Sequence, residues 1–205
     1  MISASEALDR LRKGNRRFVS GEGLRDAYPS PARRAELAEA QEPFAILLGC
    51  ADSRVPAEIV FDQGLGDLFV IRVAGNIVAP SQVGSVEFAA ARYNTRLVVV
   101  LGHSDCGAIL ATLEDLENEG QNSSKNLRSI VDRVRPSVEA LMKTELREDR
   151  DALIKEAIRA NIVVSVDHLR HGSEILEELI RQDGLLIIGA EYSLETGEVE
   201  FFYPA

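Results

Sequence analysis

Three apolar runs constrain this chain more than anything else in it. They are Phe44-Ala45-Ile46-Leu47-Leu48-Gly49, Leu97-Val98-Val99-Val100-Leu101-Gly102 and Leu185-Leu186-Ile187-Ile188-Gly189. A strand with one wet face alternates apolar and polar side chains, so a run that never alternates is covered on both faces. That pattern suits a parallel sheet wrapped by helices. Residues 68–73 read as a further strand and are followed by a turn at Gly75-Asn76. Residues 198–202 are expected to pair with the last run through a turn at Thr196-Gly197. Between the strands the pattern predicts helices from about Pro56, over 81–93 and 106–118, and then mostly to Arg181 with a break at Gly172. A loop is expected at Gly120-Gln121-Asn122-Ser123-Ser124, and a chain break at Tyr28-Pro29-Ser30-Pro31. The fold class is therefore α/β: one domain over residues 1–205, with a mostly parallel central sheet flanked by helices. It carries an N-terminal helical arm over residues 1–40 and an antiparallel C-terminal edge strand.

In the arm, residues 5–20 place Leu8, Leu11 and Phe18 on one helical face, ringed by Arg10, Lys13, Arg16 and Arg17. Glu6 and Asp9 argue against an organelle-targeting peptide, so a surface helix laid on a neighbouring surface is the better reading. A net charge of −10 argues against tracking a phosphate backbone, which excludes nucleic acid as the expected partner. No apolar stretch approaches the ~20 residues of a membrane span, and none resembles the core of a signal peptide. Asn122-Ser123-Ser124 matches a glycosylation sequon by chance, and the expected compartment is the cytoplasm. Two cysteines cannot form a disulfide scaffold in 205 residues.

Those two cysteines instead stand where a metal site needs them. Cys50 opens Cys50-Ala51-Asp52-Ser53-Arg54 just after the first run, and Cys106 closes His103-Ser104-Asp105-Cys106 just after the second. Two thiolates and an imidazole make a zinc ligand set, and three protein ligands leave a fourth position open. In an open parallel sheet, functional groups collect beyond the carboxyl ends of strands at the topological switch point. The strand over 68–73 can lie to one side, leaving the Cys50 and His103 ends as neighbours. Asp52 can reach either the metal, as a fourth ligand, or the Arg54 guanidinium as a bidentate pair.

Each of these residues also has a blander explanation. A lone buried cysteine packs as a small hydrophobe, and Asp52–Arg54 could be a loop salt bridge. Arg72 could equally be structural, tying the sheet to an adjacent loop. His168 and His171 read as a solvated helix face. Gly64-Leu65-Gly66 lacks the third glycine of a dinucleotide loop, and Gly102-His103-Ser104-Asp105-Cys106 lacks the closing glycine of a nucleophile elbow.

Taken together, the motifs resemble the β-class carbonic anhydrases. The likeness rests on Cys50-x-Asp52-Ser53-Arg54, Arg72 before Gly75-Asn76, Gly84-Ser85-Val86-Glu87-Phe88 and Gly102-His103-x-x-Cys106-Gly107, with a looser match at Gly189-Ala190-x-Tyr192. The resemblance implies a zinc enzyme that interconverts CO2 and bicarbonate through zinc-bound hydroxide. Cys50, His103 and Cys106 would hold one zinc per subunit, and Asp52 with Arg54 would form a catalytic dyad that orients or gates the fourth position. It also implies dimers or tetramers in which the N-terminal helices reach a partner and the active site lies near the interface. Gln41 and Phe69 match substrate-pocket residues of the plant-like subgroup. Phe88 stands where that subgroup has tyrosine, and Ala74 where it has valine. The bicarbonate-inhibited subgroup has tryptophan three residues before the first cysteine ligand, where this chain has Leu47, so the plant-like subgroup is the nearer match. Two rival readings are a CS2 or COS hydrolase using the same zinc and a non-catalytic zinc protein on this scaffold.

Overall fold

The computed structural model describes residues 2–23, 30–118 and 124–203. The expected break at Tyr28-Pro29 and the loop over 120–123, with the Asn122 sequon, lie outside them. Five strands form one sheet: β1 (Ala45–Gly49), β2 (Leu68–Arg72), β3 (Leu97–His103), β4 (Leu186–Tyr192) and β5 (Val199–Phe202). Their spatial order is β2-β1-β3-β4-β5. The first four are parallel, and β5 runs antiparallel beside β4 with Glu191 opposite Glu200.

Alternation along the buried strands divides them between two cores. Ile46, Leu48, Val98, Val100 and Ile187 point to one face. There they meet α4 (Pro80–Arg92), α5 (Gly107–Glu117), α6 (Lys125–Glu139), α7 (Arg150–His171) and α8 (Glu174–Gln182). Ala45, Leu47, Val99, Leu101, Ile188 and Ala190 point to the other face, which is covered by α1 (Ala4–Ser20) and the single turn α3 (Ala57–Val60). Leu47, Leu48 and Leu101 are wholly buried, and each contributes about 1.5–3 kcal/mol by leaving water. Absence of a side chain also matters: a Cβ on Gly102 or Gly189 would meet Ile162 of α7 at 2.5 or 2.8 Å. Small residues in β3 and β4 therefore set how closely α7 lies on the sheet.

Ser3 caps α1 in a reciprocal capping box with Glu6. The Leu8/Leu11 face of α1 is buried in the chain's own second core, against a cluster that includes Phe44 and Phe61. The rest of the arm differs. In α2 (Pro31–Glu39), started by the Ser30 cap and Pro31, no residue is buried. Of the helical stretch expected to run to Arg181, α6 ends at Glu139, short 3-10 turns cover Leu141–Lys143 and Glu145–Glu148, and α7 restarts on the Asp149 cap. Hydrophobic periodicity alone does not register that interruption.

Candidate metal centre

Because β1 lies between β2 and β3, the chain reverses its direction of travel across the sheet there. The crevice beyond the carboxyl ends of β1 and β3 is the switch point. Cys50 follows β1 directly, and His103 is the last residue of β3. Asp105 takes a left-handed φ of 53°, turning the chain so that Cys106 sits at the N-cap of α5. All three side chains are buried. The candidate ligand atoms of Cys50, His103 and Cys106 lie within 4.8 Å of one another.

Their spacing suits a bound ion. An ion about 2.3 Å from two sulfurs in tetrahedral geometry holds them roughly 3.8 Å apart, and the Cys50 and Cys106 Sγ atoms are separated by 4.0 Å. His103 Nδ1 lies 2.8 Å from the Ser104 carbonyl oxygen, which can only accept, so Nδ1 carries the proton. That leaves the Nε2 lone pair available, and Nε2 is a buried atom with no hydrogen-bond partner among the described residues. The contact with Cys106 is the main cause holding the Cys50 thiol well below its ordinary value. The same contact, reinforced by burial, pushes Cys106 up against the pull of the Ala108 and Ile109 amides. The pair thus holds one thiolate readily and the second only with cationic help.

Backbone and arginine contacts fix the loop around Cys50. Gly75, at φ 69°, donates its N–H to Cys50 Sγ at 3.4 Å. Arg72 donates to the carbonyls of Cys50 (3.1 Å) and Asp52 (2.6 Å), so it does tie the sheet edge to this loop. Arg54 donates to Asp52 through its backbone N (2.9 Å), Nε (2.9 Å) and Nη2 (2.7 Å). These side-chain bonds are the main reason the Asp52 carboxyl lies well below the usual carboxylate range. Asp52 Oδ2 is 3.9 Å from His103 Nε2, beside the cluster yet engaged with the arginine.

Gln41, Phe69 and Phe88 come together with one another but not with this cluster. Gln41 donates to the Tyr93 hydroxyl at 2.9 Å. Phe69, Phe88 and Tyr93 form an aromatic triangle with centroids 5.7–6.3 Å apart. Phe69 is opposite Ile46, four residues short of Cys50, about 13 Å away along the strand. Gln41 precedes β1 altogether and opens on a groove of about 990 Å³ shared with Leu37, Leu65, Arg92 and Tyr93. Phe88 is 53% exposed. Sequence reasoning missed Tyr93, which it read only as a helix end, and the roles of the Ser104 carbonyl and the Gly75 N–H. Backbone groups leave no mark in residue type. Only the positive-φ signature of Gly75-Asn76 hinted at the last of these.

The chain matches a family model described as carbonic anhydrase over residues 45–199. Its fold is that of a β-carbonic anhydrase of Aspergillus fumigatus, with a TM-score of 0.76 at 24% identity, covering 98% of this chain and 91% of that one. Carbonic anhydrase 2 of Mycobacterium tuberculosis is 42% identical over 191 residues, which span 91% of this chain and 87% of that protein. The chain belongs to the β-class carbonic anhydrases. The Cys-His-Cys cluster thus sits in a carbonic anhydrase, an enzyme, at the switch point of the sheet. A further match is one of two tetrameric β-carbonic anhydrases of Sordaria macrospora, with a TM-score of 0.73 at 22% identity, covering 96% and 97% of the two chains. Among the described residues, no helix is long and apolar enough to cross a membrane.

Proposed function

We propose that Cys50, His103 and Cys106 hold one zinc ion per chain, and that the enzyme catalyses reversible hydration of CO2 to bicarbonate and a proton. Lewis-acid activation of water is the chemistry the ion supplies there. The observation that carries this reading is the buried His103 Nε2, without a partner, facing two sulfurs 4.0 Å apart and beside a carboxylate held by an arginine. Two thiolates and a neutral imidazole are the donor set of a three-ligand zinc site. Arg54 keeps Asp52 ionised and aimed beside the cluster, so Asp52 can accept a hydrogen bond from the attacking water and orient it. Released from Arg54, Asp52 is near enough to take the fourth position itself and close the site.

Gln41, Phe69 and Phe88 serve substrate in this reading at the centre of a second chain. Their distance from Cys50 along the sheet, the exposure of Phe88 and the unburied α2 all support a partner seated on this face. The 1–40 arm then meets the partner through α2, because the Leu8/Leu11 face is already buried. Tyr93 supplies the phenol that the plant-like pattern has at Phe88, which, with Leu47, favours the plant-like subgroup. The family match, and the lack among the described residues of a helix long and apolar enough to cross a membrane, suit a cytoplasmic homo-oligomer.

The test is metal content and stopped-flow CO2 hydration on the purified chain. One zinc per chain is expected, lost when Cys50, His103 and Cys106 are all changed to alanine. Asp52→Asn and Arg54→Ala should retain zinc and lose at least tenfold in kcat/KM. Stoichiometric zinc with undiminished hydration in both dyad variants would remove the role given to the pair.

A further inference from the structure

Two buried polar side chains of α7, Asn161 and Ser165, stand one helical turn apart among the apolar Ile158, Ile162 and Val166. Both reach the same short turn. Asn161 Nδ2 donates to the Gly75 carbonyl at 2.8 Å, and Ser165 Oγ donates to the Asn76 carbonyl at 3.0 Å. The N–H of that same Gly75 is the one that meets Cys50 Sγ. The turn holds two left-handed residues in succession, Gly75 at φ 69° and Asn76 at φ 42°. Such a backbone persists only where its surroundings over-determine it. The Asn76 Nδ2 is buried with no partner among the described residues, so that amide nitrogen does not brace the turn. The approach of α7 is set at Gly102, whose Cβ would meet Ile162, the neighbour of Asn161, at 2.5 Å.

We propose that Asn161 and Ser165 are positioning residues for the metal centre, clamping the Gly75-Asn76 turn so that the Gly75 N–H stays on Cys50 Sγ. The inference rests on Cys50 being a metal ligand, as the proposed function has it. Apolar side chains would fill this space with no polar group to satisfy, whereas two buried polar ones are tolerated only when paired. Here both pairs fall on consecutive carbonyls of one turn. Freed of these bonds, the Gly75 backbone can pivot, and its N–H moves with its carbonyl. An N–H aimed at a ligand sulfur withdraws electron density from it and fixes its orientation, which tunes the bond to the ion. Asn161 and Ser165 touch neither the ion nor the reacting atoms, and act through Gly75 and Cys50.

The test compares Asn161→Ala and Ser165→Ala in the full chain with Asn15→Ala, which loosens α1 on the other face of the sheet. Competition of the zinc-loaded chains against a chelator should show affinity about 10–100-fold weaker in both α7 variants. Asn15→Ala should hold zinc as the wild type does, although all three unfold at lower urea. Chains loaded with cobalt(II) supply the second reading. A sulfur without its N–H gives up electrons more readily, so the thiolate-to-metal charge-transfer band should move to lower energy in the α7 variants. A merely structural loss, as in Asn15→Ala, leaves that band in place. Ser165→Ala removes a single oxygen, and its two readings decide the matter alone if Asn161→Ala does not fold. Wild-type zinc affinity with an unmoved band in the α7 variants overturns this inference and leaves the proposed function standing. A wild-type chain that takes up neither zinc nor cobalt overturns both.

Discussion

At the scale of single residues, two positions show how local geometry sets chemistry. Gly75 is held at φ 69°, donates to Cys50 Sγ, and has Ala108 Cβ only 2.9 Å from where its own Cβ would be. Gly75→Ala meets both strain and a backbone-anchored neighbour, and should lower stability by about 1–3 kcal/mol. Urea denaturation reads that loss, and competition with a chelator should show weaker zinc retention alongside it. Glu191 is the second case. Burial is the largest influence on it and raises its pKa, opposed by Arg159 and aided by Glu200, with Lys155 and Glu156 also nearby. A carboxyl raised in the folded state binds more protons there than in the unfolded chain, so stability falls as pH rises from its unfolded pKa through its folded one. Glu191→Gln removes that penalty. Its stability relative to wild type should be greater at pH 8 than at pH 5, and a gap that shrinks with rising pH would contradict the assignment.

At the scale of elements, the strands were legible because burial on both faces leaves an unmistakable apolar run, and β1, β3 and β4 fall where those runs lie. The neighbouring ends of β1 and β3 followed from the order of the motifs. What α1 packs against was not legible. Its apolar face fits a partner as well as it fits the chain's own core, and a buried polar residue settles the matter. Asn15 donates to the carbonyls of Val60 and Gly197 and accepts from the Val199 N–H, latching α1 to α3 and to the last hairpin. Asn15→Ala strands these groups in a buried seam, and should cost about 2–3 kcal/mol in thermal or urea unfolding. Loss of less than half a kilocalorie would show the latch to be incidental.

At the scale of the whole molecule, the Cys-His-Cys cluster and the Gln41 and aromatic wall proposed for substrate occupy different regions of one chain. If the wall serves a neighbour's centre, two damaged chains can repair each other. A Cys106→Ala chain keeps Gln41, and a Gln41→Ala chain keeps its metal ligands. Random pairing should leave about a quarter of the sites unimpaired. Equal mixtures should then exceed the mean activity of the two variants measured apart, whereas additive activities would assign Gln41 to its own chain's centre.

The sheet, its parallel character and the three residues able to grip a metal could all be read from the chain before it folds. Each depends on residue type and on spacing along a single strand-to-loop passage. Folding was needed to set Asp52 on Arg54, to bring Arg72 to two loop carbonyls, and to leave Gln41 and the aromatic triangle a strand's length from Cys50. Those facts depend on distances between segments far apart in the chain, and spacing along a sequence does not encode distance across a fold.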